Sequence, residues 1–275
     1  MSSPPGTAEG FGDVDGSADP ARLVGYLDEA RRVPELQDVD RWLERELRLA
    51  PGSHVLDVGC GTGEDTVGLS ARVAPRGRAV GVDASAVMVR EARRRHADCG
   101  LPVEFRIGRA EALELPAGRF DACRFERVLQ HVPSPVDALR EAARVLRPGG
   151  RLAAFEPDWT SLTLAGASPE ITARVLEARA TTIASPDLGG RLPRLVDEAG
   201  FGHLRSAVVP LVITTLEVAL RTLRLAASLE SAVAGGTIRP ADATAWLRML
   251  STADRGGSFR MRITGHLVSA TRWAP

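Results

Sequence analysis

The chain has 275 residues, of which 35 are basic and 35 are acidic, and 44% of all residues are hydrophobic. This composition is typical of a globular protein with one large domain, or with a core domain and a cap. The balanced charge argues against nucleic acid as the main partner, because neutralising phosphates requires an excess of basic residues.

The cysteine and hydropathy patterns argue against a disulfide-rich, zinc-binding or membrane-spanning protein. Cys60, Cys99 and Cys123 are far apart in the sequence, which favours neither a disulfide framework nor a zinc site and fits the reducing cytoplasm. No apolar run approaches the length of a membrane span. We therefore expect a cytoplasmic protein that contacts no membrane and binds no metal ion.

The first 52 residues are expected to precede the core. Residues 1–20 are rich in Pro, Gly and Ser, and this composition predicts a disordered tail. Residues 21–52 have helical periodicity, and Pro34 is expected to divide them into the two helices of an N-terminal cap.

From residue 54 onwards, short β-rich runs alternate with helical stretches. The β-rich runs cover residues 54–59, 78–83, 103–108, 120–125 and 151–157. This alternation predicts parallel strands joined by crossover helices, and therefore an α/β fold with a doubly wound sheet. We expect the core to cover residues 53–158.

The alternation ends after residue 158. Residues 159–257 contain helical stretches and one strand-like run at 204–215. Their abundance of Leu, Ala, Val and Thr predicts a helical lid over an apolar pocket, with one strand added to the core. Residues 258–275 alternate between polar and apolar positions and are predicted to form the final strand of the sheet.

The turn after the first predicted strand reads "HVLDVGCGTGEDT" over residues 54–66. Gly59, Gly61 and Gly63 would let a ligand touch the main chain, although three glycines also suit an ordinary tight turn. A dinucleotide fingerprint requires Gly at position 64 and a pyrophosphate at the start of the helix. Because Glu64 and Asp65 would repel phosphate, the pattern favours a ligand without phosphates.

The second predicted strand ends at Asp83, 20 residues after Gly63. A carboxylate at this strand tip can bind both hydroxyls of a ribose. The alternative role for Asp83 is to cap the next helix, which Ser85 can also do. A ribose without a pyrophosphate indicates S-adenosylmethionine.

Five sequence motifs carry a family resemblance over residues 47–157. They are "VLDVGCGTG", "VGVDAS", "GRAEALELP", "FDACRFERVLQHV" and "RVLRPGGRLAAFEP". In their order the chain resembles the class I S-adenosylmethionine-dependent methyltransferases, especially the small-molecule group that includes the ubiquinone and menaquinone C-methyltransferases. The resemblance implies a Rossmann-like sheet of seven strands with an antiparallel last strand. It also implies S-adenosyl-L-methionine as the cofactor and a small-molecule acceptor.

The same resemblance assigns residues to the cofactor. Asp57 would orient the methionine ammonium group, directly or through water, and Asp83 would bind the ribose. Arg109 is a departure, because the family usually has an Asp there that accepts from the adenine amino group. Either Glu111 takes this role, or the backbone of Ala110 binds the adenine edge alone. The complete set of expected cofactor contacts is Tyr26, Asp57, Gly59, Cys60, Gly61, Thr62, Gly63, Asp83, Ala84, Met88, Ala110, Glu111, Glu126 and Arg127.

Three of these residues have open alternatives. Tyr26 lies on the N-terminal helix that closes over the cofactor in relatives, but it could also serve amphipathic packing. Glu126 and Arg127 either contact the methionine ends or form an ion pair that caps the fourth strand.

Catalysis requires a base only when the acceptor must lose a proton. His131, Glu156 and Asp158 are the candidate bases. For His131 the resemblance favours a structural role, because "L-x-H" recurs at this place in relatives with unrelated acceptors. Trp159 would form an apolar wall for the acceptor, unless it is simply packed in a turn.

The expected reaction is in-line displacement of the methyl group by a small, hydrophobic acceptor, such as a quinone-like or natural-product metabolite of secondary metabolism. The sequence contains no Asn, so an N-P-P-Y motif for amino-group substrates and the Asp–Asp–Asn set of Mg²⁺-dependent catechol enzymes cannot occur. One alternative is a cyclase of the same fold that binds the cofactor without transferring its methyl group. A second is an NAD-type oxidoreductase, which Glu64 disfavours.

Overall fold

The computed structural model of the chain describes residues 11–17, 19–222 and 225–273. Most of the predicted disordered tail, residues 1–10 and 18, lies outside the described residues, as do the last two residues of the predicted final strand. Residues 11–17 differ from the expectation of disorder, because they form turns that pack on the fold. Asp15 accepts hydrogen bonds from the backbone N–H groups of Ala86 (2.8 Å) and Val87 (3.1 Å).

Seven strands and ten α-helices are found among the described residues. The strands are β1 (His54–Val58), β2 (Arg78–Asp83), β3 (Val103–Ile107), β4 (Phe120–Glu126), β5 (Leu146–Ala165), β6 (Phe201–Ile213) and β7 (Arg260–Arg272). The helices are α1 (Pro20–Ala30), α2 (Pro34–Leu47), α3 (Glu64–Val73), α4 (Ala86–Arg95), α5 (Pro135–Val145), α6 (Pro169–Ala180), α7 (Leu188–Glu198), α8 (Leu216–Thr222), α9 (Leu225–Ala234) and α10 (Pro240–Arg255).

All seven strands form one sheet with the order β3-β2-β1-β4-β5-β7-β6. The strands β1 to β5 are parallel to one another, and β7 pairs antiparallel with both β5 and β6. The predicted doubly wound, mostly parallel sheet with an antiparallel last strand is confirmed. The order reverses at β1, so that β1 and β4 flank the crevice in which ligands of such sheets bind.

Both faces of the sheet are buried, as parallel sheets require. Val55 packs with Leu43 of α2 and Leu69 of α3 on one face. The next residue of β1, Leu56, packs with Leu139 of α5 and Leu192 of α7 on the other face. This alternation along β1 fixes which side chains reach the core.

Local signals in the sequence explain where the helices begin. Pro34 occupies the first turn of α2, where its missing N–H group costs no helical hydrogen bond. Ser85 caps α4 by accepting from the backbone N–H group of Met88 at 3.1 Å. Because Ser85 provides this cap, the carboxylate of Asp83 is available for another contact.

The boundary between core and lid differs from the one expected at residue 158. Strand β5 continues to Ala165 and stays paired with β7 as far as Arg260, with an irregularity between Asp158 and Thr163. Trp159 therefore lies on this strand instead of at the start of a lid. Helices α6 to α10 follow, and none of the helices in the described part of the chain is long and apolar enough to cross a bilayer.

Candidate functional site

One cavity lies at the carboxyl ends of β1, β2 and β4, at the reversal of strand order. Residues 11–14, α1, the 3₁₀ helix Leu129–His131 and β5 close its other sides. The cavity is lined by Phe11, Gly12, Val14, Tyr26, Leu27, Arg31, Val58, Gly59, Cys60, Gly61, Thr62, Glu64, Asp65, Val82, Asp83, Ala84, Met88, Gly108, Arg109, Ala110, Glu111, Arg124, Glu126, Arg127, Val128, Gln130, His131, Val132, Pro133, Trp159 and Arg179.

The glycine loop forms the floor of this cavity. Gly59 and Gly61 have φ angles of 73° and 52°, in the left-handed region that favours glycine. A Cβ atom on Gly59 would overlap the side chain of Val128, and one on Gly61 would lie 2.8 Å from Cδ1 of Leu27. Both glycines therefore allow the loop to pack closely against Val128 and Leu27. Cys60 and Thr62 of the same loop also line the cavity, and the contact of this loop with the cofactor stays a prediction.

Gly63 has a different function from the one predicted. It is absent from the cavity wall and precedes α3 with a φ of 89°. A Cβ atom there would lie 2.6 Å from the ring of Phe105, so Gly63 permits close packing of helix and sheet. Helix α3 begins with Glu64, whose carboxylate accepts from the hydroxyl of Thr62 at 2.5 Å.

Asp83 lies at the tip of β2 on the cavity wall. Its two carboxylate oxygens accept from the backbone N–H groups of Gly61 and Ser85, each at 2.9 Å. Burial raises the pKa of Asp83, and these two hydrogen bonds oppose that rise. The carboxylate is thus fixed in orientation beside the glycine loop, where remaining lone pairs can accept from hydroxyl groups.

The residues expected around the adenosine line the same end of the cavity as Asp83. Ala84, Met88, Ala110 and Glu111 are all on its wall. Arg109 donates to Glu111 at 3.2 Å, so the residue that departs from the family pattern is paired with the residue proposed to replace it. Both alternatives for the adenine contact remain compatible with this arrangement.

Asp57 does not line the cavity, which argues against the expected direct contact between its carboxylate and the cofactor. It is 1% exposed and accepts from the hydroxyl of Thr66 at 2.6 Å and from Arg124 at 3.2 Å. Burial raises the pKa of Asp57, and Arg124 opposes the rise. Arg124 is itself on the cavity wall, so this arginine links Asp57 to the cavity, and contact of Asp57 with the cofactor through water stays a prediction.

Arg124 is the centre of a buried charge cluster that the sequence reasoning missed. Its guanidinium contacts Asp40 at 2.8 Å and Asp65 at 3.2 Å, and it also contacts Glu126. Oxygen atoms of these three carboxylates lie within 4.8 Å of one another. Arg124 contacts all three, while Arg31 also pairs with Asp65 and Arg127 with Glu126. A charged residue inside the apolar run "FDACRF" was the available signal, because buried charges are normally paired.

Glu126 and Arg127 form the expected ion pair, while their contact with the methionine ends stays a prediction. Their side chains form an ion pair at 3.1 Å, and both also line the cavity. Arg127 has a φ of 56°, which is uncommon for a residue with a side chain and is typical of functional sites.

Aromatic and cationic groups line the other end of the cavity. The indole N–H of Trp159 donates to Gln130, and the guanidinium of Arg179 lies 4.4 Å from the centre of the Trp159 ring. The ring of Phe11 is 5.8 Å from that of His131 and 5.1 Å from that of Tyr26. No sequence pattern marks Gln130, Arg179 or Phe11, because their segments meet only in the folded chain.

His131 lies on the wall but is poorly suited to accept a proton. Burial lowers the pKa of its imidazole to about 3, and the positive charges of Arg179 and Arg127 add to the effect. A group with so low a pKa is a weak base at neutral pH. The geometry therefore agrees with the structural role that the resemblance favours.

Glu156 and Asp158 were predicted as bases, but neither side chain lines the cavity. Glu156 is fully buried and accepts from the backbone N–H groups of Val128 and Leu129 at 2.8 Å and 2.6 Å. Asp158 accepts from the backbone and hydroxyl of Thr160 at 3.0 Å and 2.6 Å. Strand β5 turns these carboxylates away from the site while directing Trp159 into it.

Both the sequence and the fold are similar to those of known proteins. Residues 55–150 match the methyltransferase domain family. An uncharacterized 37.1 kDa protein in a Streptomyces fradiae transposon is 36% identical over 249 residues, which cover 90% of this chain and 70% of that protein. A demethylmenaquinone methyltransferase of Symbiobacterium thermophilum is 40% identical over 140 residues, covering 49% of this chain and 56% of that enzyme. The chain therefore spans about half the length of this methyltransferase.

Two solved structures share the fold at low sequence identity. Phosphoethanolamine N-methyltransferase 2 of Haemonchus contortus, in complex with S-adenosyl-L-methionine, has a TM-score of 0.62 at 14% identity. That comparison covers 97% of this chain and 61% of the other. The [4+2]-cyclase SpnF has a TM-score of 0.54 at 22% identity, covering 87% of this chain and 82% of the cyclase. At these identities the likeness concerns the fold alone.

Proposed function

Because the chain belongs to the class I S-adenosylmethionine-dependent methyltransferases, with S-adenosylmethionine as its cofactor, we propose that it methylates a small, largely apolar organic acceptor. The observation that supports this proposal is the single cavity that joins Asp83 and Ala110 at one end to Trp159 at the other. A cavity of this kind can hold a nucleoside at one end and an acceptor beside it.

The residues of the cavity fit the cofactor in the order of its parts. Asp83 would accept from the ribose hydroxyls, and Ala110 and Glu111 would flank the adenine. The bare loop at Gly59 and Gly61 would contact the methionine portion. A Cβ atom on Gly59 would overlap Val128, and one on Gly61 would crowd Leu27, so a side chain at either position would displace the cavity wall.

The methionine ammonium and carboxylate require charges of both signs, and the cavity provides them. The carboxylates of Asp65 and Glu126 and the guanidinium groups of Arg31 and Arg127 all line the wall. These groups are held in mutual ion pairs, such as Glu126 with Arg127 at 3.1 Å, so their positions are fixed before a ligand binds. Such preorganisation lowers the entropic cost of binding.

When bound, the cofactor supplies an electrophilic methyl group on a sulfonium centre. The remaining contribution of this chain is to hold the acceptor in line with that group and to exclude water. Trp159, stacked by Arg179 and hydrogen-bonded to Gln130, offers a rigid flat wall for this purpose. The carboxylates on the wall, such as Asp65 and Glu126, are engaged in ion pairs with arginines, and the lowered pKa of His131 makes its imidazole a weak base. We therefore propose that the acceptor reacts without a general base.

The wall near Trp159 supports the proposed class of acceptor. Flat aromatic faces and a stacked guanidinium suit a planar organic molecule. A quinone-like or natural-product acceptor of secondary metabolism is consistent with the demethylmenaquinone methyltransferase among the relatives. The helical lid after β5 would then determine which acceptor fits.

The test is transfer of a labelled methyl group from S-adenosylmethionine to a panel of hydroxylated naphthoquinones and phenols. We expect a labelled product and one equivalent of S-adenosylhomocysteine. Trp159→Ala should weaken acceptor binding with little change in cofactor affinity, whereas Trp273→Ala, at a half-exposed tryptophan distant from the cavity wall, should leave both unchanged. Tight cofactor binding without transfer to any acceptor would favour the alternative of a cyclase that keeps the methyl group.

The NAD-type oxidoreductase is no longer a competing proposal. Helix α3 begins with Glu64 and Asp65, which face the cavity. Two carboxylates at that helix start would oppose a pyrophosphate, while an amino-acid tail with an ammonium group is compatible with them.

A further inference from the structure

Glu156 lies beneath the cavity wall and is 0% exposed. One carboxylate oxygen accepts from the consecutive backbone N–H groups of Val128 (2.8 Å) and Leu129 (2.6 Å). The other oxygen has no hydrogen-bond partner within the described part of the chain. Burying a carboxyl group whose partners are all backbone groups costs folding free energy. We therefore looked to the cavity, and not to stability, for the role of Glu156.

The segment that Glu156 holds is the turn over residues 127–131. The turn begins with the left-handed Arg127 and continues into the 3₁₀ helix. Its backbone makes three other hydrogen bonds: the N–H of Arg127 donates to the carbonyl of Phe155 on β5 (2.9 Å), the N–H of His131 to the carbonyl of Val128 (2.9 Å), and the N–H of Ser185 to the carbonyl of Gln130 (3.0 Å). Glu156 adds a side-chain link from β5 to the middle of this turn, at Val128 and Leu129.

The turn touches both halves of the cavity. Val128 packs directly against the main chain of Gly59, where a Cβ atom would overlap it. Two residues later, Gln130 accepts from the indole of Trp159. A shift of this turn would therefore move the wall at the cofactor end and the wall at the acceptor end together.

We infer that Glu156 is a positioning residue, whose carboxylate fixes the 127–131 turn so that Val128 and Gln130 complete the two ends of the cavity. The inference rests on the proposed function, because it assumes that the cavity holds the cofactor. It replaces the role of general base predicted for Glu156 from the sequence. The carboxylate acts on bound ligands only through the turn.

The charge of Glu156 gives this role a pH dependence. Burial raises the pKa of Glu156 to about 8, against the effect of the hydrogen bonds from the turn and the charge of Arg127. The other charged or titratable groups on the elements around it include His131 of the turn, Glu126 at the end of β4, His266, its register partner on β7, Asp158 on β5, and Arg191 on α7, which is paired with Asp187. An ionised carboxylate is a stronger acceptor for two N–H groups than a neutral carboxyl. Cofactor affinity should therefore increase as the pH is raised through 8.

The test uses the full chain and S-adenosylhomocysteine as the probe, with affinity measured by calorimetry at pH 6.5 and pH 9.5. Two variants separate acceptor strength from packing: Glu156→Gln keeps a carbonyl acceptor without a charge, and Glu156→Leu removes the acceptor. The matched control is Glu198→Gln, at an exposed position of α7 that is paired with Arg194. Hydrogen exchange of the peptide containing residues 127–131 reports on the turn directly.

We expect Glu156→Leu to bind the probe about tenfold more weakly and to exchange faster over residues 127–131, because two buried N–H groups lose their acceptor. Glu156→Gln should bind within about threefold of the wild-type chain at pH 6.5, where both acceptors are uncharged. Its affinity for the probe should also change less between pH 6.5 and pH 9.5, because the contribution of Glu156 is missing. The probe and Asp40 titrate in both proteins, so their contributions cancel when the two changes in affinity are compared.

Several outcomes would overturn the inference. These are wild-type affinity and wild-type exchange in Glu156→Leu, or an identical pH response in Glu156→Gln and wild type. The second comparison decides the question even if Glu156→Leu does not fold. Failure of the wild-type chain to bind the probe would instead overturn the proposed function, so the two failures are distinguishable.

Discussion

Asp83 lies on the cavity wall at the tip of β2, where we propose that it recognises the cofactor. Its carboxylate is fixed by the N–H groups of Gly61 and Ser85, and we propose that it also accepts from the ribose. We expect Asp83→Ala to weaken binding of S-adenosylhomocysteine by about 1–3 kcal/mol, the cost of leaving buried hydrogen-bonding groups unmatched. Calorimetric titration measures the loss, with the exposed Asp98→Ala on the next loop as control. Unchanged affinity in a folded Asp83→Ala protein would remove the ribose contact from the proposal.

His131 gives a prediction for stability instead of catalysis. Burial lowers the pKa of the folded-state imidazole to about 3 from its ordinary value of 6.5. Below pH 6.5 the unfolded chain binds a proton that the folded chain does not, so stability present above pH 6.5 is lost as the pH falls. The loss continues until about pH 3, with a limiting slope of about 1.4 kcal/mol per pH unit for one proton.

We therefore expect His131→Gln to lose less unfolding free energy between pH 7.5 and pH 5 than the wild-type chain. Urea denaturation at the two pH values measures the difference. The control is His203→Gln, at an exposed position on β6. If His131→Gln and wild type lose the same free energy over this interval, His131 is not held neutral by the fold.

For single residues, the sequence predicted a role only where the backbone conformation or the chemistry of a position admits few residue types. Glycines with positive φ and a carboxylate at a strand tip indicated the cofactor end, because few other residues can serve there. Glu156 and Asp158 were placed wrongly at the cavity, because the direction of a side chain on β5 depends on strand register. Register is set by the partner strand β7, more than 100 residues away in the chain.

At the scale of elements, one buried side chain of β4 forms ion pairs with three neighbouring elements. Arg124 of β4 contacts Asp57 of β1, Asp40 of α2 and Asp65 of α3. We expect Arg124→Met to lower the free energy of unfolding by about 3–5 kcal/mol, because it leaves the fully buried carboxylate of Asp57 without its arginine partner. Chemical denaturation at pH 7 measures this loss.

The matched variant in the same cluster should behave differently. Burial raises the pKa of Asp40 to about 8, and the neighbouring Glu126 adds to the rise. The carboxyl group is therefore largely neutral at pH 7, and Asp40→Asn replaces it by a neutral group of the same shape. We expect a change of less than about 1 kcal/mol. A loss from Asp40→Asn equal to that from Arg124→Met would mean that Asp40 is ionised in the folded protein.

Element positions were more predictable than element junctions. The five parallel strands were identified because apolar runs bounded by turn residues alternate with amphipathic helices. The junction at residue 158 was misplaced, since β5 continues to Ala165. Its extension has no continuous apolar run, and pairing with β7 holds it in the sheet despite the irregularity after Asp158. Such pairing is tertiary and leaves no local pattern in β5 itself.

Across the whole molecule, the cavity is assembled from segments that are remote in sequence. Phe11 and Tyr26 come from the N-terminal part, Asp83 from β2, and Trp159 and Arg179 from β5 and α6. The family match at residues 55–150 includes the cofactor loop but excludes Trp159 and Arg179. The proposed acceptor specificity thus belongs to the part of the chain outside the match.

The last strand decides whether this assembly can form. Strand β7 lies between β5 and β6 and pairs with both, and its residues Met261, Leu267 and Val268 are buried. A chain that ends at residue 257 would expose the edge of β5 and leave β6 without a partner in the sheet. We expect it to show no cooperative thermal transition and no binding of S-adenosylhomocysteine, while a chain ending at residue 273 should show both. Circular dichroism during heating and calorimetric titration provide the two measurements. Cooperative unfolding of the shorter chain with normal probe affinity would show that the parallel strands form the cofactor site independently of the antiparallel pair.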